Sequence, residues 1–190
     1  MTVVISKTRA DSNRFVEECF NIISDDNEKN IIYCGVAGNQ FGKIGDYSGP
    51  LPDLPQLYYH HKLQTLDYDP QWNPTFTADI TKPETLQSNL HNKFDIAVIT
   101  QVIEHVKDLT KIPETLYLLL KMGGHAIVDC PWGPEAPDYH AEPPSFGDYW
   151  RISDEGLRLI FSNKVGFNAI KSVRTSANAG ILIQKIPMEK

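Results

Sequence analysis

Four residues with chemical potential each follow directly on, or end, a short apolar run: Gly35, Asp67, Asp79 and Gln101. A glycine lets a ligand approach the backbone closely. A carboxylate can accept two hydrogen bonds from a ribose diol, and a second carboxylate can accept one from an exocyclic amine. Together these residue types predict a pocket for a nucleoside that carries little or no phosphate.

A phosphate-binding loop is the competing interpretation of the glycine-rich segment 35–44. The segment resembles the Walker loop, but Ala37 replaces its first glycine and Ile44 replaces the Ser or Thr that would ligate magnesium. The dinucleotide fingerprint also fails, because Gln40 stands at its third glycine position. A nucleoside triphosphate hydrolase built around Lys43 is therefore the weakest alternative.

The order of elements decides whether the four residues can meet. Predicted strands cover 30–34, 63–67, 75–78, 94–100, 125–130, 167–173 and 181–186, and predicted helices cover 12–24, 81–90, 109–120 and 153–166. We expect Gly123 and Gly124 to end the third helix, and residues 178–180 to form the turn between the last two strands. Strands that alternate with helices indicate crossover units and a parallel sheet.

The predicted fold is α/β: a Rossmann-like, seven-stranded, mostly parallel sheet with helices on both faces and an antiparallel C-terminal hairpin. We expect residues 1–190 to form one domain, because domains commonly have about 100–200 residues. In an open sheet of this kind, ligands bind outside the carboxyl ends of the strands. The four residues should therefore lie at one edge of the sheet.

Composition narrows the class of protein further. Eighteen basic against 24 acidic residues give a net charge of −6, which disfavours a large nucleic-acid interface. The three cysteines have no spacing suited to a disulfide framework or to zinc, so we expect a cytoplasmic protein with no metal site. No apolar run approaches the roughly 20 residues of a membrane-spanning helix. The sequence leaves the oligomeric state open.

Several segments resemble class I S-adenosylmethionine-dependent methyltransferases, and they occur in the order of that family: 31–38, 66–70, 78–80 and 94–106. Residues 119–131 resemble the next helix and strand of the family. Residues 148–157 are similar to a segment of small members thought to modify sugars or other small molecules. The resemblance covers about residues 12–186 and depends on the conjunction of these motifs.

The resemblance implies a set of cofactor-binding residues: Cys34, Gly35, Val36, Ala37, Gly38, Asp67, Tyr68, Asp79, Ile80, Gln101 and Val102. The loop that begins at Gly35 would pass beneath the methionine part of S-adenosylmethionine. Asp67 would bind the ribose hydroxyls, and Asp79 with the amide of Ile80 would bind the adenine. Gln101 and Val102 would lie beside the sulfonium.

The implied activity is transfer of the methyl group to a small-molecule acceptor, with S-adenosylhomocysteine as the product. As the methylated atom, a hydroxyl oxygen is favoured over carbon or nitrogen. A base that removes the hydroxyl proton would assist the transfer, and the candidates are His140 and His105. The sequence departs from the family pattern at Tyr33, Ala37 and Asn39. These departures support the alternative, a catalytically weak or inactive methyltransferase-like protein that binds the cofactor or a partner enzyme.

Structural roles compete with these assignments at three places. Asp79 could cap the helix expected after it. His105 could simply pack and hydrogen-bond beside Glu104. Arg151 could pair with Asp148 instead of contacting a substrate.

Overall fold

A computed structural model describes residues 7–23, 25, 27–35, 60–136 and 147–188 of the chain. The strands are β1 (Asn30–Cys34), β2 (Lys62–Asp67), β3 (Phe76–Thr77), β4 (Phe94–Thr100), β5 (Leu120–Pro131), β6 (Phe167–Arg174) and β7 (Asn178–Lys185). The α-helices among these residues are α1 (Lys7–Ile23), α2 (Ile112–Leu119) and α3 (Asp154–Ile160). None of these helices has the length and apolarity that crossing a membrane requires.

The seven strands form one sheet in the order β3-β2-β1-β4-β5-β7-β6. The pairs β1–β2, β1–β4, β2–β3 and β4–β5 are parallel, and β7 is antiparallel to both β5 and β6. The chain runs outward from β1 to β3 and then returns to place β4 on the other side of β1. This switch point is where open α/β sheets bind ligands, and the predicted fold class is confirmed.

Side chains of alternate residues enter the two cores on opposite faces of the sheet, as the period of a strand requires. Ile31 and Tyr33 of β1 pack with α1, whereas Ile32 and Cys34 pack in the larger cluster that includes α2 and α3. All four side chains are almost fully buried. Helices therefore cover both faces, as expected.

The helix predicted over 81–90 is wrong. Two separate 3-10 turns, Pro83–Thr85 and Ser88–Leu90, occupy this segment. Leu86 adopts an extended backbone with φ −70° and ψ 130°, which interrupts any continuous helix. Both Leu86 and Leu90 are buried, so packing of these two side chains determines the path of the segment.

The predicted role of Gly123 and Gly124 as helix terminators is also wrong. Helix α2 ends at Leu119, and both glycines lie inside β5. The pairing of β4 with β5 shifts register at this point, from Phe94–Leu120 to Ile96–His125. Gly123 has φ +79°, so the glycines accommodate a bulge in β5.

Two boundaries near the C-terminus differ from prediction as well. Residues 178–180 belong to β7 and pair with β5 and β6, so the hairpin turn lies at 175–177. The helix expected over 153–166 ends at Ile160 and is followed by a separate turn, Asn163–Val165. The predicted stop at Gly166 holds for that turn, because Gly166 has φ +84°.

Candidate functional site

A cavity of about 540 Å³ opens at the carboxyl ends of the central strands, within the range of about 300–1,000 Å³ typical of ligand pockets. Its lining contains all four residues from which the sequence argument began, Gly35, Asp67, Asp79 and Gln101. The lining also includes Tyr68, Ile80, Val102 and His105. The structure thus brings eight of the predicted site residues together.

The other five predicted site residues are not among the lining residues described. Val36, Ala37, Gly38 and His140 lie outside the described residues. Cys34 is fully buried in the core, where burial raises the pKa of its thiol to about 12. Sequence reasoning missed several lining residues that neighbour the predicted ones: Leu66, Ala78, Thr81, Lys82, Thr100, Val106, Lys107 and Asp108.

Gly35 occupies a position that other residues cannot fill without strain. Its φ is +86°, and its N–H donates to the carbonyl of Leu66 at 2.9 Å. A Cβ at this position would lie 2.3 Å from Cγ2 of Val102. A glycine is therefore required both by the left-handed backbone and by the close approach of β1 to the segment after β4.

Asp67 is a fixed carboxylate at the end of β2. The residue is only 3% exposed, yet it lines the cavity. Its Oδ1 accepts a hydrogen bond from the amide of Asp69 at 2.9 Å, and its carbonyl accepts one from the amide of Ala78 at 2.9 Å. The amide of Asp69 thus orients the carboxyl group, and the amide of Ala78 fixes the backbone of Asp67. The neighbouring Tyr68 is more than half exposed at the rim.

Asp79 both lines the cavity and holds the turn that follows it. Its Oδ1 accepts hydrogen bonds from the amide of Thr81 at 2.9 Å and from its hydroxyl at 2.7 Å. Its Oδ2 lies 3.1 Å from Nζ of Lys82. Burial raises the pKa of Asp79, but the Thr81 donors and Lys82 outweigh burial and hold the pKa below its usual value. The capping alternative is therefore realised, although in a turn and not in a helix.

Gln101 is anchored by a buried carboxylate. Its φ of +55° is unusual for a residue with a side chain. The Nε2 of Gln101 donates to Oδ1 of Asp129 at 2.7 Å and to Oδ1 of Asn178 at 3.0 Å. These contacts hold the first residue after β4 against the ends of β5 and β7.

Asp129 connects the site to α1. It is fully buried, and its Oδ2 accepts a hydrogen bond from the hydroxyl of Ser12 at 2.6 Å. Burial raises the pKa of Asp129, while the donors Ser12 and Gln101 oppose that rise. This network was not predicted from the sequence, in which its one signal is an acid near the end of the apolar strand 125–130.

Three hydrogen bonds join the turn after β4 to the segment 147–150. The Nδ1 of His105 donates to the carbonyl of Gly147 at 2.7 Å. The amide of Tyr149 donates to the carbonyl of Glu104, and Nε1 of Trp150 donates to the carbonyl of Val106, each at 2.7 Å. This segment therefore lies against the wall of the cavity formed by residues 102–107.

The side chain of Glu104 is a buried carboxyl behind His105. It is 1% exposed, and its Oε1 lies 3.5 Å from Nε2 of His105. Burial raises the pKa of Glu104 well above its usual value, and the carboxylates of Asp129 and Asp148 raise it further. Burial lowers the pKa of His105, and the Gly147 carbonyl and Asp148 oppose this effect.

Arg151 pairs with Asp148, as the structural alternative proposed. Its Nη1 donates to Oδ1 of Asp148 at 2.5 Å and its Nη2 donates to Oδ2 at 2.7 Å, which makes a two-point contact. Within the described part of the chain, no group of three or more His, Cys, Asp and Glu side chains is arranged to hold a metal ion.

Comparison with known proteins finds similar structures but no similar sequences. Neither family models nor curated proteins match the sequence. Among solved structures, an S-adenosylmethionine-dependent methyltransferase from Aquifex aeolicus matches with 14% identity and a TM-score of 0.61, over 93% of this chain and 90% of that chain. A Burkholderia thailandensis N1-methyltransferase with bound 1,6-didemethyltoxoflavin and S-adenosylhomocysteine matches with 10% identity and a TM-score of 0.60, over 96% and 80%.

A third similar structure is a Haloferax volcanii complex between a methyltransferase and its activator protein. The match has 12% identity and a TM-score of 0.65, and it covers 97% of this chain and 100% of that chain. All three similarities extend over most of this chain, although the sequence identities are low. The chain therefore has the fold of S-adenosylmethionine-dependent methyltransferases.

Proposed function

We propose that this protein transfers a methyl group from S-adenosylmethionine to a hydroxyl oxygen of a small molecule. One observation carries the proposal: Gly35, Asp67, Asp79 and Gln101 line one cavity at the switch point of a sheet with the methyltransferase fold. When bound, S-adenosylmethionine would supply a methyl group made electrophilic by a sulfonium. The cavity volume and the carboxyl groups of Asp67 and Asp79 in its lining are compatible with an adenosyl group.

The residues of the cavity fit the parts of that cofactor in chain order. Gly35 lines the cavity with backbone atoms alone, and residues 34–38 would hold the methionine part. The fixed carboxylate of Asp67 would accept hydrogen bonds from the ribose hydroxyls, with Tyr68 beside it. Asp79 and the amide of Ile80 would bind the adenine, and Gln101 with Val102 would face the sulfonium.

The protein's own contribution to methyl transfer would be chiefly orientation. Holding a hydroxyl group in line with the methyl group, at near contact, supplies most of the rate enhancement in such reactions. Our two proposed proton acceptors are His140 and His105, of which His105 lines the cavity. A base of this kind adds about 10²–10⁴-fold.

The proposal includes a small-molecule acceptor, no nucleic-acid or membrane partner, and a cytoplasmic location. A net charge of −6 supports the first of these over a nucleic-acid acceptor. The free, buried cysteines Cys19, Cys34 and Cys130 support a reducing compartment. The rival is a weakly active or inactive binding protein, and a screen of hydroxyl acceptors with radiolabelled methyl donor separates the two.

Calorimetric titration with S-adenosylhomocysteine tests the site directly. We expect Asp67→Ala to weaken binding by about 1–3 kcal/mol, the cost of losing hydrogen bonds to a charged acceptor. Asp69→Ala is the matched control, because Asp69 caps the turn Pro70–Trp72 and is absent from the cavity lining. It should leave the affinity unchanged.

The same titration distinguishes the classes of protein. Unchanged affinity in a folded Asp67→Ala variant would remove this residue from the site. No binding of S-adenosylhomocysteine or S-adenosylmethionine by the wild-type protein, together with tight binding of ATP, would replace the methyltransferase proposal with a nucleotide hydrolase.

A further inference from the structure

One ring nitrogen of His105, Nδ1, has a close hydrogen-bond partner inside the protein. A carbonyl oxygen can only accept a hydrogen bond, so the 2.7 Å contact with Gly147 requires the proton on Nδ1. The other nitrogen, Nε2, lies 3.5 Å from Oε1 of the buried Glu104. The ring lines the cavity, and its Nδ1–H is directed to the segment 147–150.

The contact with Gly147 belongs to a set that docks one segment. Backbone carbonyls of Glu104 and Val106 accept from Tyr149 and Trp150, on either side of the His105 contact in the turn. Of these three hydrogen bonds, only that of His105 has its donor on the turn. The side chain of His105, on the cavity wall, therefore holds Gly147. Gly147 directly follows the segment 137–146, and His140 belongs to that segment.

We infer that His105 is a positioning residue, which docks the segment 147–150 against the cavity through its Nδ1–H. This inference depends on the proposed function only for its effect on turnover, since the docking itself needs no cofactor. The proton acceptor for the hydroxyl group would then be supplied by another residue, of which His140 is the candidate already proposed.

Two isosteric substitutions separate docking from proton transfer. The amide nitrogen of an asparagine can occupy the place of Nδ1, whereas that of a glutamine reaches the place of Nε2. His105→Asn therefore keeps a donor for Gly147 and has no base, and His105→Gln and His105→Ala lose the donor. His91→Ala, at an exposed histidine, is the control for a histidine substitution in general.

Hydrogen exchange of the Trp150 indole N–H, measured by NMR without cofactor, reports the docking. We expect exchange to be about tenfold faster in His105→Gln and His105→Ala, from the loss of one hydrogen bond. In His105→Asn and in the His91→Ala control it should stay within about twofold of wild type. Equal acceleration in His105→Asn and His105→Ala, or no acceleration in any variant, would overturn the inference.

Two further measurements extend the test, and the first of them is independent of folding defects and of the proposed activity. Nitrogen chemical shifts of His105 in the wild-type protein should show the neutral ring protonated at Nδ1, and protonation at Nε2 would refute the docking geometry. With an acceptor in hand, turnover should fall further in His105→Gln and His105→Ala, which lose the donor to Gly147, than in His105→Asn, which keeps it. Loss of turnover in His105→Asn with intact exchange protection would instead identify His105 as the base.

Failure of the proposed function gives a different result. Absence of S-adenosylhomocysteine binding, with the expected exchange pattern, would remove the methyltransferase proposal and leave the docking role of His105 in place.

Discussion

Replacing Gly35 with alanine tests the floor of the cavity. The left-handed backbone at φ +86° should cost an alanine about 1–2 kcal/mol. The added Cβ would lie 2.3 Å from Cγ2 and 3.2 Å from Cγ1 of Val102, and such overpacking costs about 1–3 kcal/mol. We therefore expect Gly35→Ala to lower the free energy of unfolding by about 2–5 kcal/mol.

Gly123 offers a matched control for the backbone contribution. It has φ +79°, but a Cβ there would meet nothing within 4 Å. Gly123→Ala should thus cost only the backbone part, about 1–2 kcal/mol. The difference between the two variants measures the clash with Val102.

A double-mutant cycle in urea isolates that clash. Val102→Ala removes both methyl groups that the new Cβ would meet, so it should recover about 1–3 kcal/mol in the Gly35→Ala background beyond its own cost. The backbone cost should remain. A Gly35→Ala variant as stable as Gly123→Ala, or a cycle without coupling, would refute the close approach of β1 to the segment after β4.

Two further predictions concern the elements around the site. Ser153→Ala should lower the free energy of unfolding by about 1 kcal/mol, because Oγ of Ser153 accepts a hydrogen bond from the amide of Gly156 at 3.1 Å. Ser162→Ala is the control in the same denaturation assay. It removes no such capping bond and should cost only a few tenths of a kcal/mol. Asp79 has a pKa below its usual value of 3.8, so its carboxylate stabilises the fold above that pH and loses this effect as the pH falls through the lower folded value. Asp79→Asn should therefore be less stable than wild type at pH 7, by a difference that narrows as the pH falls below 3.8. Thermal unfolding that shows a wider difference in acid would contradict the ion pair with Lys82.

The convergence of strand ends was predictable because it depends on local patterns. A run of β-branched and apolar residues such as 30–34 or 94–100 identifies a buried strand, and the next residue in the chain marks its carboxyl end. Parallel pairing then brings those ends to one edge of the sheet without further information. This reasoning located Gly35, Asp67, Asp79 and Gln101 in one cavity.

The segment after Asp79 was not predictable from the same patterns. Thr81 and Glu84 have the spacing of a capping box, and Pro83 is suited to a first helical turn. In the structure the hydroxyl and amide of Thr81 donate to Asp79 instead, so the cap serves a turn. A competition between two local hydrogen-bond partners is decided by packing, which sequence spacing does not contain.

Contacts between distant residues were beyond sequence reasoning for a different reason. Ser12 and Asp129 are 117 positions apart, and their hydrogen bond exists only because α1 packs against β5 and β7. His105 and Gly147 are 42 positions apart, and the contact crosses from one cavity wall to a segment without regular structure. Single-sequence patterns give no register for such pairs.

Tyr33 replaces the acid that the methyltransferase pattern has two residues before its first glycine, and it was part of the support for an inactive protein. In the structure its side chain is 1% exposed and packs on the α1 face of the sheet. Its hydroxyl forms a short hydrogen bond with Oγ1 of Thr100, and burial raises the pKa of the phenol, so the group is neutral. Among the described residues, the cavity is lined by Gly35 and Thr100 but not by Tyr33.

The tyrosine at position 33 thus removes a charge from the layer beneath the site without placing an aromatic ring in the cavity. That arrangement weakens the argument for inactivity at this position, and the affinity for S-adenosylhomocysteine becomes the quantity that decides between the two alternatives.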